Sequence, residues 1–280
     1  MSVLYRTYRP AKWSEVIGQD QVVGPLKEAI ANKNIAHAYL FSGSRGTGKT
    51  SIARIFAKAI GTNEEDIYEI DAASNRGIDD IRSLREHVSV LPFSSTHKVY
   101  IIDEVHMLSK DAWNALLKTL EEPPKHVIFI LATTELEKVP DTIISRCQTF
   151  AFRKPGREVV RKMVIDIAKK EGFEIDAGGG DLIALLGDGS FRDALGMLQK
   201  VISTSADKKI SREEVEAITG APKALLVNDY IEALTSKNVD RALSILGNVE
   251  KSGISHSLYA VLVLEKVRFI LLLQHSASSK

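Results

Sequence analysis

The stretch that most restricts what this chain can become is AYLFSGSRGTGKTS, residues 38–51. A β-rich run, AYLFSG, leads into Gly43-Ser44-Arg45-Gly46-Thr47-Gly48-Lys49-Thr50, and a helical pattern opens at Ser51. GxxxxGK[ST] between a strand and a helix is a phosphate loop: its glycines let backbone N–H groups converge on a β-phosphate, and the helix start adds the positive end of its dipole. Lys49 is expected to neutralise the β- and γ-oxygens, and Thr50 to offer a hydroxyl to Mg²⁺.

From 38 to 152, short β-rich runs alternate with helical stretches, the pattern of a parallel sheet covered by helices and so of the α/β class. The strand candidates are AYLFSG (38–43), IYEIDA (67–72), KVYIIDE (98–104), VIFILATT (127–134) and QTFAF (148–152). KTSIARIFAKAI, GIDDIRSLREHV and KDAWNALLKTLEE carry the three-and-four apolar spacing of amphipathic helices, the last stopped by Pro123-Pro124. Past Lys154-Pro155-Gly156 the β signals vanish, leaving helical pattern broken by DAGGGD (176–181), TSADKK (204–209) and GAPK (220–223). The expected division is an α/β domain over 1–155, a small helical domain over 156–220 and a further helical stretch over 221–280. Gly178-Gly179-Gly180 follows no strand and carries no phosphate-loop lysine, so it reads as a flexible turn.

VYIIDE supplies the second chemical element, four apolar residues suited to a buried central strand ending in Asp103 and Glu104. Asp103 can hold the water shell of Mg²⁺, while Glu104 can polarise a water for attack on a γ-phosphate. Acidic residues often end strands, but downstream of a phosphate loop the pair points to hydrolysis rather than transfer to a small acceptor. A guanine-reading NKxD is expected after the loop of a GTPase. The nearest match, Asn32-Lys33-Asn34, precedes the loop and lacks the aspartate, so ATP is the expected nucleotide.

Lys+Arg 37 against Asp+Glu 36 leaves a formal charge of +1, so any grip on nucleic acid needs a local basic face. The single Cys147 allows neither an internal disulfide nor a cysteine cluster for zinc, and MSVLYRTYRP has no secretion segment, so the cytoplasm is the expected compartment. LYAVLVLEKVRFILLLQ (258–274) is strongly apolar, but Glu265, Lys266 and Arg268 sit in its middle. Each costs about 2.5–3.5 kcal/mol at a bilayer centre, so the segment reads as a packing helix and no membrane association is expected.

With DEVHMLS, NALLKTLEEPP, FILATTE and SRC in place and in order, the chain resembles the AAA+ clamp-loader ATPases over roughly residues 2–221. The resemblance implies an AAA+ phosphate-loop domain, a helical lid and the start of a helical collar. It implies an ATPase using ATP and Mg²⁺ (Thr50, Asp103) to open a ring-shaped sliding clamp and close it on primer–template DNA. The partners implied are that clamp and other loader subunits, in a hetero-oligomeric pentameric ring. ATP binding then falls to Gly43, Ser44, Gly46, Thr47, Gly48, Lys49, Thr50 and Ser51. Tyr8, Arg9, Pro10, Val16 and Ile17 would wrap the adenine, an aromatic staple on the core being the plainer reading of that arm. Thr133 or Thr134 would be sensor 1, feeling the γ-phosphate, with a helix or turn cap as the alternative. Gly189-Ser190-Phe191-Arg192-Asp193-Ala194 is similar to sensor 2 and would bring Arg192 over the same phosphate, unless Arg192 pairs on the surface with Asp188. Ser74, Arg76, Arg82 and Lys118 match positions that track a DNA backbone, Ser74 and Gly77 flanking a helix start; solvated surface charge is the alternative for each.

The arginine of SRC, Arg146, resembles an arginine finger that projects into a neighbouring subunit's ATP site, as against capping the preceding helix or pairing locally. Cys147 then needs no chemistry beyond small-residue packing. Two departures stand out. Only Gly61–Asp66 bridges the place where the family usually inserts a cysteine-bearing zinc module, so no zinc is expected. The chain also stops short of a complete collar, as a cut or naturally reduced form would. Two rivals share much of this signature. One is another AAA+ DNA-remodelling machine, such as a branch-migration helicase or replication initiator, which SRC and the absence of an appended helix-turn-helix tell apart. The other is a non-hydrolysing structural loader subunit, against which Lys49, Thr50, Asp103 and Glu104 argue.

Overall fold

A computed structural model describes residues 3–74, 84, 86–205 and 207–277. The first part runs α1 (Leu4–Thr7), α2 (Asp20–Ala31), β1 (Ala38–Ser42), α3 (Lys49–Ala59), β2 (Ile67–Asp71), β3 (Lys98–Asp103), α4 (Lys110–Glu121), β4 (Val127–Thr133), α5 (Asp141–Ile144) and β5 (Gln148–Ala151). Then follow α6 (Arg157–Lys170), β6 (Glu174–Ile175), α7 (Ala177–Leu186), α8 (Phe191–Thr204), β7 (Lys209–Ile210), α9 (Arg212–Thr219), α10 (Ala224–Thr235), α11 (Val239–Lys251) and α12 (His256–Ala277).

All five expected strands form, each within a residue of its sequence bounds, in one parallel sheet of order β2-β3-β4-β1-β5. β1, β3 and β4 are buried along nearly their whole length, as strands covered on both faces must be. Alternate residues feed two cores. Leu40, Tyr100, Ile102, Phe129 and Leu131 pack with Trp113 and Leu116 of α4. On the other face Tyr39, Phe41, Ile101 and Ile130 pack with Leu26 of α2 and Ile52 and Phe56 of α3. Burial of each large side chain is worth about 1.5–3 kcal/mol, so the two faces together fix the register. The expected helix GIDDIRSLREHV falls mostly outside the described residues; Leu84 and Val88, which are described, join the α4-side core.

Two expectations fail beyond residue 156. The β signals do not vanish: Glu174 and Ile175 pair in parallel with Lys209 and Ile210. Gly178-Gly179-Gly180 is no turn but part of α7. Asp176 caps the helix by accepting the Gly179 N–H, and the glycines are there for space. A Cβ on Gly180 would stand 3.0 Å from Ile165, and one on Gly178 3.3 Å from Arg212. Close packing outweighs the poor helix propensity of glycine, about 1 kcal/mol per residue.

The chain divides into two compact units, Met1–Val160 with Gly187–Gly196, and Arg161–Leu186 with Met197–Lys280. In the second, α10 and α11 form a helical hairpin tied by Arg241 to Glu232 at 3.0 Å. Tyr259 of α12 donates its hydroxyl to the Leu226 carbonyl at 3.0 Å. Leu264, Phe269, Leu271 and Leu272 of α12 remain more than half exposed. Among the described residues no helix is long and apolar enough to cross a membrane.

Candidate active site

β1 lies between β4 and β5, where the strand order turns back on itself, and the crevice beyond the carboxyl ends of such strands is where open α/β sheets bind ligands. The loop leaving β1 keeps Gly43, Gly46 and Gly48 at φ of 143°, 73° and 101°, and α3 begins at Lys49. Gly46 is obligatory for a second reason: a Cβ there would fall 2.0 Å from Ser190 Oγ. The Phe191 N–H donates to the Gly46 carbonyl at 3.0 Å, so the first turn of α8 is fastened to the loop. Lys49 is only 5% exposed, its Nζ donating to the carbonyls of Gly43 at 2.7 Å and Ser44 at 3.0 Å. Burial lowers its pKa, and the carboxylates of Glu104 and Asp103 pull the other way.

Asp103 ends β3 and accepts the Thr50 hydroxyl at 2.6 Å, joining the two expected magnesium ligands across 53 residues of sequence. Glu104 follows in the left-handed region, at φ 48°, which for a residue with a side chain is strained backbone. Its Oε2 accepts the Thr134 hydroxyl at 2.9 Å. Thr133, fully buried, instead faces His106, whose Nδ1 is 3.0 Å from Thr133 Oγ1. The two threonines thus differ, and only Thr134 reaches the carboxylate.

Arg192, in the first turn of α8, does not pair with Asp188, which bonds Lys154 at 2.7 Å. Its guanidinium lies 5.7 Å from the Tyr5 ring centroid. Arg9 donates to Ser51 Oγ at 3.1 Å, bringing the N-terminal arm onto the start of α3. Burial lowers the Arg9 pKa, Arg54 and Arg192 lower it further, and Glu69 and Asp103 oppose them. Two cations from distant sequence therefore converge on the loop. Tyr8, Pro10 and Val16 are half-buried, while Ile17 is exposed. Buried Gln19, at the end of the Val16-Ile17-Gly18-Gln19 segment that resembles an adenine-wrapping arm, donates to the Thr47 carbonyl at 3.4 Å and the Arg153 carbonyl at 2.7 Å. That it joins the loop to the end of β5 leaves no local sequence signal.

A family model described as DNA polymerase III, delta subunit, matches residues 18–75 and 61–156. DNA polymerase III subunit tau of Bacillus subtilis (strain 168) is 45% identical, over 89% of this chain and 48% of that protein. The tau subunit of Escherichia coli (strain K12) is 36% identical over 99% of this chain and 46% of its own length. The chain belongs to the gamma/tau family of DNA polymerase III subunits. It spans about half the length of these gamma/tau relatives. Among solved structures, the Thermotoga maritima RuvB Holliday junction branch migration motor covers 92% of this chain and 91% of its own, with a TM-score of 0.64 at 19% identity. That likeness establishes the AAA+ fold.

In this gamma/tau-family chain Arg146 lies away from the phosphate loop. Gln148 of β5 stands level with Tyr39 near the start of β1, so Arg146, just before β5, is at the amino end of the sheet, while the loop leaves β1 four residues further on, about 13 Å along the strand at about 3.3 Å per residue. Arg146 Nη2 donates to Glu121 Oε1 at 2.8 Å and Nη1 to the Thr142 carbonyl at 2.7 Å. Burial pushes the neighbouring Cys147 thiol up to about 12. Lys118 is exposed on α4, and the Ser74 hydroxyl donates to Asp71 at 3.2 Å. Arg76 and Arg82 lie outside the described residues, as does Gly77. Among the described residues no group of three or more His, Cys, Asp or Glu side chains converges as a metal cage. Mg²⁺ held by one hydroxyl, one carboxylate and substrate phosphates needs none.

Proposed function

We propose that the chain is an ATP-hydrolysing motor subunit of a DNA polymerase III clamp loader, coupling ATP binding and hydrolysis to loading of a sliding clamp on primer–template DNA. The observation that carries this reading is the meeting of Lys49, Thr50, Asp103 and Glu104 at one end of the sheet, with the Thr50–Asp103 bond at 2.6 Å. The loop amides, Lys49 and Ser51 receive the phosphates, and Tyr8, Arg9, Pro10, Val16 and Ile17 flank the base. Thr50 and Asp103 would hold Mg²⁺, which when bound offsets charge on the β- and γ-oxygens. Glu104 polarises the attacking water, Thr134 aims that carboxylate, and Arg192 reads the γ-phosphate.

Arg146 completes a neighbouring subunit's site, as the end of the sheet it occupies favours. Such fingers are worth about 10³ to 10⁵ in rate in GTPases. Residues 156–220 serve as the lid and 221–280 begin a collar, whose exposed apolar α12 suits a hetero-oligomeric ring, pentameric in the complete loader. Ser74, Lys118, Arg76 and Arg82 contact the DNA backbone, the compartment is the cytoplasm, and no zinc is used. The test is ATPase rate against chain concentration, with and without sliding clamp, companion subunits and primed DNA. Turnover per chain should rise on assembly; a rate already high and flat in dilute monomer contradicts the shared site.

A further inference from the structure

His106 sits inside DEVHMLS, one residue beyond Val105 in the short 3₁₀ turn Val105–Met107 that follows Glu104. Its side chain is 5% exposed and meets groups from two elements. Nε2 is 3.1 Å from Glu135 Oε1, and since a carboxylate oxygen only accepts, Nε2 carries the ring hydrogen. In the neutral ring Nδ1 is then the acceptor for the Thr133 hydroxyl at 3.0 Å, with Glu104 Oε2 beyond hydrogen-bond reach at 3.6 Å. Thr133 Oγ1 in turn accepts the Glu135 N–H at 3.0 Å. One ring therefore ties the turn carrying Glu104 to the end of β4 and to the first residue of the loop beyond Thr134.

We propose that His106 is a positioning residue for ATP hydrolysis: by clamping the end of β4 to the Glu104 turn, it holds the Thr134 hydroxyl where it aims the Glu104 carboxylate. The Thr133 hydrogen is committed to the ring and leaves the γ-phosphate to other donors. Glu104 starts from a strained backbone angle, so the restraint that keeps it there must come from its surroundings. His106 supplies that restraint on one side and the Asp103 Oδ1 bond to the Glu104 N–H, at 3.0 Å, on the other.

The inference rests on Glu104 as the water-polarising group. Its test compares wild type, K49A, H106F, H106N, T133V and the H106F/T133V double variant, each with its loader partners, clamp and primed DNA. Single-turnover ATP hydrolysis and the Kd for a fluorescent ATP analogue are measured for all. Phenylalanine keeps the volume of the ring and loses both bonds, so H106F should lower the hydrolysis rate by up to about 100-fold with Kd nearly unchanged. T133V should behave alike, and the double variant should be no slower than H106F, because both remove one connection. H106N, whose amide oxygen can accept the Thr133 hydroxyl, should recover part of the rate. Wild-type turnover in H106F, equal loss of rate and affinity, or H106N no better than H106F overturns the proposal. Wild type no faster than K49A overturns the hydrolysis reading and the inference with it.

Discussion

Lys49 bonds two carbonyls of its own loop, so polyphosphate binding replaces neutral oxygens with charged ones around an ammonium that burial already destabilises. Arg146 has a different exchange to make. Its partner Glu121 is partly exposed, and such pairs contribute about 0–1 kcal/mol, so beyond the Thr142 carbonyl bond little holds the guanidinium at home. Arg146→Ala should leave ATP affinity of the chain within about twofold while removing most DNA-stimulated turnover of the assembled complex, about 10³-fold or more by the GTPase precedent. Nucleotide titration and steady-state hydrolysis check the two halves separately. Cys147 gives a simpler expectation: with its thiol held near 12 it stays protonated at neutral pH, and alkylation by iodoacetamide should be far slower than for a free thiol. At this scale the sequence was informative wherever a role comes from one contiguous motif, as with Lys49 or Asp103. It placed Glu121, Gln19 and His106 inside motifs but gave none of them a role of its own, because that role lies in partners brought from elsewhere in the chain.

Helices and strands announced themselves where the pattern was long and local. β3 and β4 were visible as uninterrupted apolar runs because both their faces are covered. The start of α7 was misread because three glycines in a row argue for a turn, and only packing against Ile165 and Arg212 argues back. The short connection Gly61–Asp66 likewise holds more than its length suggested. Asp66 is fully buried and accepts the N–H groups of Phe93 at 2.7 Å and Ser94 at 2.9 Å, anchoring the chain that enters β3. Burial alone would raise its pKa, but those hydrogen bonds outweigh it and leave the carboxyl below its ordinary value. A depressed folded value means stability that is present above the unfolded pKa, about 4, and is lost as pH falls through the lower folded value. Asp66→Asn should lower the melting temperature at pH 7, and the gap to wild type should close in acid. A gap that stays constant down to pH 2 contradicts the anchor.

The whole molecule places the phosphate loop where the parallel strands finish and Arg146 before β5, where they begin. If Arg146 is the finger proposed above, a single chain cannot bring those ends together, and head-to-tail contact between subunits is the arrangement that would use both. The Glu121–Arg146 pair then acquires a meaning that belongs to competition rather than to stability. On that proposal Glu121 would be a tethered rival ligand, present at a fixed local concentration whatever the dilution, which a neighbour's nucleotide would have to displace to recruit the guanidinium. Diphosphate carries less charge than triphosphate and would displace it less well, so the pair would set a threshold that favours one nucleotide state. Glu121→Gln should lower that threshold: assembled complexes should hydrolyse ATP with less dependence on primed DNA, read as a smaller ratio of stimulated to basal rate. An unchanged ratio would mean that the carboxylate is a bystander.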